Sequence, residues 1–189
     1  MPTRKTIEAG SVYQLKVTLR DSHPPIWRRI QASGDATLAK LHDILQEVMG
    51  WTDSHLHQFI VGGVYIGVPS PEDWTRIENE EHFKLSQIAP DEKSRFVYEY
   101  DFGDSWEHDI VVEKILPPEP GVHYPVCLKG KGACPPEDCG GIYGYYGLLE
   151  ALQNPDDPEH EEMLEWVGGE FDPQAFDLDG INEALRSMR

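Results

Sequence analysis

The chain has 189 residues, enough for one domain with a sizeable core and short for two, and 39% of them are hydrophobic, including five Trp, eight Tyr and six Phe, which argues against wholesale disorder. Acidic residues outnumber basic ones by 34 to 16, for a net charge of −18, and this disfavours phosphate backbones and anionic lipid as partners because the basic clusters, Arg28-Arg29 and Lys129 with Lys131, are short. No apolar run marks the start MPTRKTIEAG, no stretch approaches the roughly eighteen apolar residues of a membrane span, and the three cysteines are odd in number. The expectation is a cytoplasmic, single-domain protein over residues 1–189, with free thiols as the default and metal ligation as the alternative.

Residues 12–19 alternate, with Tyr13, Leu15, Val17 and Leu19 on one side and Gln14, Lys16 and Thr18 on the other, which predicts a half-buried strand. His23-Pro24-Pro25 makes the turn into a second strand, IWRRIQAS, whose weaker alternation leaves its faces unassigned. In TLAKLHDILQEVMG, Leu38, Leu41, Ile44, Leu45 and Val48 recur at helical spacing, with Thr37 as N-cap, Gly50 as left-handed stop and His42 toward the edge of the apolar stripe. LHQFIVGGVYI reads as two short strands around Gly62-Gly63, residues 69–82 as a surface loop, Phe83–Ile88 as a short strand and residues 95–116 as a long hairpin. Residues 117–141, rich in Pro, Gly and Cys, read as a long loop. Helices are predicted from Ile142 to Leu152, after Asp157-Pro158, after Asp172-Pro173 and, capped by Asp179, at the end. The order is α+β, with a mixed or antiparallel sheet and a β-grasp-like ββα start.

The stretch YEYDFGDSWEHDI, residues 98–110, concentrates the chemistry. A three-residue connection at 103–105 places Phe96, Tyr98, Tyr100, Phe102, Trp106, His108, Ile110 and Val112 on one core-facing side. It also sets Asp101 against Glu107 and Glu99 against Asp109, which needs a cation or a basic side chain between them. A two-residue Gly103-Asp104 turn is better turn chemistry and pairs Glu99 with His108 and Asp101 with Trp106. The buried face favours the first register. GDS at 103–105 with DPEH at 157–160 offers Ser105, His160 and Asp157 as a GDSL-type hydrolase triad, but a hairpin at mid-chain is the wrong context for that nucleophile. His123, Cys127, Cys134 and Cys139 form a candidate zinc set, although the C-x6-C-x4-C spacing lacks a C-x2-C knuckle. Glu99, Asp101, Asp104, Glu107 and Asp109 are donors suited to a harder ion. In CPPEDCGG, Glu137 and Asp138 precede a helix start. Placed beside the hairpin tip, that loop makes a candidate binding surface of Asp101, Asp104, Trp106, His108, Glu137 and Asp138.

Six stretches taken together, PPIWRRI, LHDILQEVMGW, HLHQF, YEYDFGDSWEHDI, CPPEDCGGIYGY and FDPQAFDLDGIN, resemble the plasmid pRiA4b ORF-3-like family from about Val12 to Leu185. The resemblance implies a single α+β domain of bacteria and archaea with no established activity. Some members are labelled TnpR-type passengers of insertion sequences. A resolvase needs an activated serine among arginines and a basic helix pair, and neither is present here.

These readings converge on an acidic accessory or binding module with a protein partner, resembling a mobile-element passenger. The alternative is a metal-dependent or hydrolytic enzyme with its site between the hairpin tip and the 134–141 loop, with zinc as the candidate cofactor. Nucleic-acid binding ranks third on charge. A partner-binding face predicts an exposed apolar patch around Trp27, Trp51, Trp74, Trp106 or Trp166.

Overall fold

Strand β1 (Val12–Leu19) follows its alternation: in the computed structural model, which describes residues 10–71 and 75–188, Tyr13, Leu15, Val17 and Leu19 are buried while Gln14, Lys16 and Thr18 are half-buried on the other side. Strand β2 (Trp27–Ser33) returns antiparallel with Ile30 opposite Leu15, and its faces are now assigned, with Arg28, Ile30 and Ala32 inward. Arg28 tolerates burial because carbonyls and an aromatic face meet its charge. Its Nε donates to Val48 O (2.7 Å), its Nη1 to Trp27 O (3.0 Å) and Lys131 O (3.1 Å), and the guanidinium lies 4.9 Å from the Phe176 ring centre. Val48 belongs to the last turn of helix α1 (Leu38–Met49), the negative end of its dipole. Thr37 caps that helix by accepting the Lys40 N–H (3.2 Å), and Gly50, at φ 97°, ends it in the left-handed conformation that glycine adopts without penalty.

The remaining strands are β3 (His57–Val61), β4 (Val64–Gly67), β5 (Ile77–Asn79), β6 (Arg95–Tyr100), β7 (Trp106–Leu116) and β8 (Val126–Lys131). They join one eight-stranded sheet in the order β5-β4-β3-β6-β7-β1-β2-β8, antiparallel except for the β4–β5 pair. With α2 (Leu85–Ile88), α3 (Gly141–Gln153), α4 (His160–Trp166) and α5 (Leu178–Ser187), this is the α+β class, with a ββα opening, a long hairpin and C-terminal helices. The outer side of β1, β2 and β7 is polar, laced by a two-pronged Arg29–Glu113 pair (2.7 and 2.8 Å) that Gln14 extends.

Local hydrogen bonds and strand pairing correct several expectations. Phe83–Ile88 is not a strand; α2 begins there, with Gln87 Oε1 accepting the Lys84 N–H (2.7 Å). The supposed loop at 69–82 contains β5, paired parallel with β4, and a 3-10 turn at Glu80–His82 capped by Asn79. The long loop at 117–141 contains β8, which extends the sheet edge by pairing on β2. Asp172 closes only a turn, accepting the Gln174 N–H (2.8 Å), and the last helix is capped by Asp177, not Asp179, through the Gly180 N–H (2.9 Å).

Neither expected hairpin register forms. Tyr98 faces His108, Glu99 faces Glu107 and Tyr100 faces Trp106, joined by a five-residue connection, 101–105. The Asp101 side chain makes this turn, its Oδ1 accepting the N–H groups of Gly103 (2.9 Å) and Asp104 (3.3 Å) while its carbonyl accepts that of Ser105 (2.5 Å). The slip from the three-residue register is by two positions, so the inward set survives except at the tip, where Phe102 becomes exposed and Asp101 turns in. Glu99 and Glu107 then sit opposite each other. Arg20 supplies the required positive charge, pairing with Glu107 and with Asp109 Oδ1 (2.6 Å), while Gln58 Nε2 donates to Glu99 (2.7 Å).

Candidate functional site

Pairing of β3 with β6 sets the site. His57 lies opposite Tyr100, so the residues before β3 run beside those after β6, and the Asp101 N–H donates to Leu56 O (2.8 Å). The loop after α1 (50–56) and the hairpin tip (101–105) are thereby neighbours. The segment entering α3 joins them through five contacts. Trp51 Nε1 donates to Pro135 O (3.0 Å), Thr52 Oγ1 to Glu137 Oε2 (2.6 Å) and the Tyr100 hydroxyl to Glu137 Oε1 (2.5 Å). The Gly140 N–H donates to Asp104 Oδ2 (3.1 Å), and a Cβ on Gly141 would stand 2.5 Å from Asp104 O, so glycine alone fits against the tip there. Burial, then the bond to Glu137, raises Tyr100 far above the usual phenol range, so it acts here as a donor.

His55 Nε2 lies 3.1 Å from Asp138 Oδ1 and 3.7 Å from Asp101 Oδ2, and the three atoms are within 4.8 Å of one another. Despite that approach, His55 Nε2 is a buried atom with no hydrogen-bond partner among the described residues. Asp101 Oδ1 is committed to the turn, leaving Oδ2 for this cluster. Asp53, Asp101, Ser105 and Asp138 all adopt positive φ (54°, 57°, 53° and 60°), a concentration of unfavourable backbone in the three converging loops. Within 4.0 Å, no Lys or Arg described here pairs with Asp101, Asp104, Glu137 or Asp138. Leu56, Phe102 and Tyr143 belong to the same loops and the first turn of α3, and are exposed by 67%, 49% and 88%.

A second group, His42, Asp53 and His57, lies behind the first, with ligand-type atoms again within 4.8 Å. Its bonds close a ring. The Asp53 N–H donates to Gln46 Oε1 (2.9 Å), Gln46 Nε2 to the Tyr98 oxygen (2.9 Å), the Tyr98 hydroxyl to His42 Nδ1 (2.8 Å) and His42 Nε2 to Asp53 Oδ1 (2.8 Å). This chain of donors fixes His42 as the neutral Nε2–H tautomer, consistent with its lowered pKa, for which burial is the main cause. The His57 ring stacks on His42 at 3.4 Å, with Nε2 at 2.7 Å from buried Glu80. Helix positions 42 and 46 thus carry buried polar residues for hydrogen bonding, and His42 lies inside the stripe rather than at its edge.

The sequence-derived candidates divide. Asp101, Asp104, Glu137 and Asp138 come together where hairpin tip and 134–141 loop meet. Trp106 and His108 do not join that surface: their strand positions point inward, and they are 1% and 0% exposed. His123, Cys127, Cys134 and Cys139 are not among the ligand groups that converge within 4.8 Å. Cys127 is spread into β8, with its backbone paired to Asn182, while burial pushes Cys134 well above the usual thiol range and Cys139 up to about 12. Ser105 Oγ donates to Glu99 (2.9 Å) and His160 Nδ1 to Ala151 O (2.8 Å), so neither is arranged as a hydrolase triad. Of the tryptophans, Trp51 and Trp106 are buried, Trp27 packs with Lys16 and Arg29, Trp166 is 46% exposed on α4, and Trp74 lies outside the described residues. His55 was missed as a site residue. Its signal is the pair of histidines in HLH at the foot of a strand, which becomes meaningful only once β6 is known to be the neighbour.

The family model for plasmid pRiA4b ORF-3-like proteins matches residues 11–180. The chain belongs to the plasmid pRiA4b ORF-3-like family. It is similar to the uncharacterized protein y4hQ of Sinorhizobium fredii (strain NBRC 101917 / NGR234), at 40% identity over 182 residues, 95% of this chain and 93% of that one. It also resembles a solved structure, that of the protein of unknown function MM3350 from Methanosarcina mazei Go1. The TM-score is 0.81 at 38% identity, covering 90% of this chain and 97% of the other. In this pRiA4b ORF-3-like chain, HLHQF, YEYDFGDSWEHDI and CPPEDCGGIYGY, three of the stretches that carry the family resemblance, supply the residues that meet at His55. Among the described residues, no helix is long and apolar enough to cross a membrane.

Proposed function

We propose that this pRiA4b ORF-3-like protein is a binding module whose working face is the junction of the three loops, and that it takes a basic, apolar-flanked segment of a protein partner. The observation that carries the reading is the set Asp104, Glu137 and Asp138, gathered over buried Asp101 without a Lys or Arg partner among the described residues and bordered by exposed Leu56, Phe102 and Tyr143. Uncompensated carboxylates attract cationic groups and repel phosphate, and exposed aromatic residues are the usual anchors of such contacts. Tyr143, at 88% exposed, is nearly free of the fold, which makes it a clean probe.

The test is fluorescence anisotropy with labelled peptides that mix Lys or Arg with Leu or Phe, against acidic peptides of the same apolar content. The basic peptides are expected to bind, more weakly as salt rises. Tyr143→Ser and Phe102→Ser should each weaken binding by about five- to thirty-fold without shifting Tm. Basic peptides binding no better than acidic ones, or ignoring both substitutions, would sink the reading.

A further inference from the structure

We propose that His55, Asp101 and Asp138 form a site for a zinc-class divalent cation. The proposal stands whether or not the face takes a protein partner, because it rests on a different observation, the unsatisfied ring nitrogen of His55.

Ligands about 2.1 Å from a tetrahedral or octahedral ion stand roughly 3.0–3.4 Å apart. The separations of 3.1 Å to Asp138 Oδ1 and 3.7 Å to Asp101 Oδ2 need only small movements to reach that spacing. A hydrogen bond is the competing use of His55 Nε2, and the structure does not make one: the atom is buried and has no aligned acceptor among the described residues. A cation between the three groups would satisfy the ring nitrogen and neutralise two carboxylates that have no Lys or Arg partner described within 4.0 Å. The neighbouring His42, Asp53 and His57 group lacks this feature, since both His42 nitrogens are hydrogen-bonded and His57 Nε2 lies on Glu80. One imidazole with two carboxylates suits zinc, cobalt or manganese better than calcium or magnesium, which prefer oxygen alone. Three protein ligands leave at least one position for water. The ligands come from the loop after α1, the hairpin tip and the segment before α3, so the ion would also tie the three loops together.

Protein dialysed against chelator and then freed of it is titrated with Co2+, followed by visible absorption, and with Zn2+, followed by calorimetry. One equivalent of each should bind. His55→Gln and Asp138→Asn should each lower affinity on the order of 100-fold, the upper end of what losing even a supporting residue costs a metal site. Asp53→Asn and Cys139→Ser should retain binding. Asp138 is 72% exposed in its side chain, so Asp138→Asn keeps the test decisive if His55→Gln fails to fold. No binding by the wild-type chain, binding that survives Asp138→Asn, or binding lost in Asp53→Asn or Cys139→Ser with Asp138→Asn unaffected would overturn the proposal.

Discussion

Trp106→Ala is expected to destabilise the fold by about 3–5 kcal/mol, the largest effect of any single substitution considered for this chain. The side chain is 1% exposed, faces Tyr100 across the hairpin and lies 5.9 Å, ring centre to ring centre, from Trp51. Truncation removes the transfer energy of the indole and leaves a cavity in a densely packed region. The consequence reaches the candidate site. Trp51 stacks on Tyr100 at 5.0 Å and donates to Pro135 O, and Tyr100 in turn holds Glu137, so the three converging loops share one aromatic floor. A urea transition with a lower midpoint and an unchanged slope is the expected result, with Trp106→Phe losing less. A loss below about 1 kcal/mol for Trp106→Ala would show that Trp106 is not packed as described.

Acid should weaken the fold through His108. Its ring is 0% exposed, Nδ1 donates to Tyr98 O (3.3 Å) and Nε2 has no partner among the described residues. Burial pushes its pKa down from 6.5 to about 4. Between those values the unfolded chain holds a proton that the native chain does not, so unfolding gains as pH falls. The His108 contribution is present in full above pH 6.5 and is lost through the window down to pH 4, by about 3 kcal/mol in total. His42, also lowered by burial, acts in the same direction. The net charge of −18 acts in the other, because protonating surface carboxylates relieves repulsion, so the measurement is a difference. Stability of the wild type and of His108→Asn, which keeps a donor near Nδ1, is compared from pH 7 to pH 4. The variant should show the flatter acid limb. Parallel curves would mean that His108 does not titrate on unfolding.

Local periodicity was a good guide wherever a segment had one apolar face. The strand at 12–19 and the helix with Thr37 and Gly50 at its ends are legible because their side chains repeat with the period of the backbone. The hairpin kept its inward alternation for the same reason, since a slip by two positions preserves the face. Its register was not legible. Turn rules count residues in the connection, whereas the Asp101 side chain builds a five-residue turn and Arg20, from the turn after β1, makes the Glu99–Glu107 pairing tolerable. β5 and β8 escaped because each is an edge strand with no alternation to read: β5 is a short piece laid parallel on the strand before it, and β8 exists through pairing with β2, a strand distant in sequence.

The amino-acid sequence alone determined the α+β class, the central strand and helix faces, the acidic character and, through its motifs, the family. Only the tertiary structure decided which polar residues are core and which are surface. Arg28, His42 and His108 are buried because carbonyls, a hydroxyl and aromatic faces from other elements receive them, and no spacing within their own segments encodes those partners. The meeting of His55, Asp101 and Asp138 likewise follows from the pairing of β3 with β6 and the docking of Gly140 and Gly141 on Asp104, contacts between residues more than thirty positions apart that no local pattern specifies.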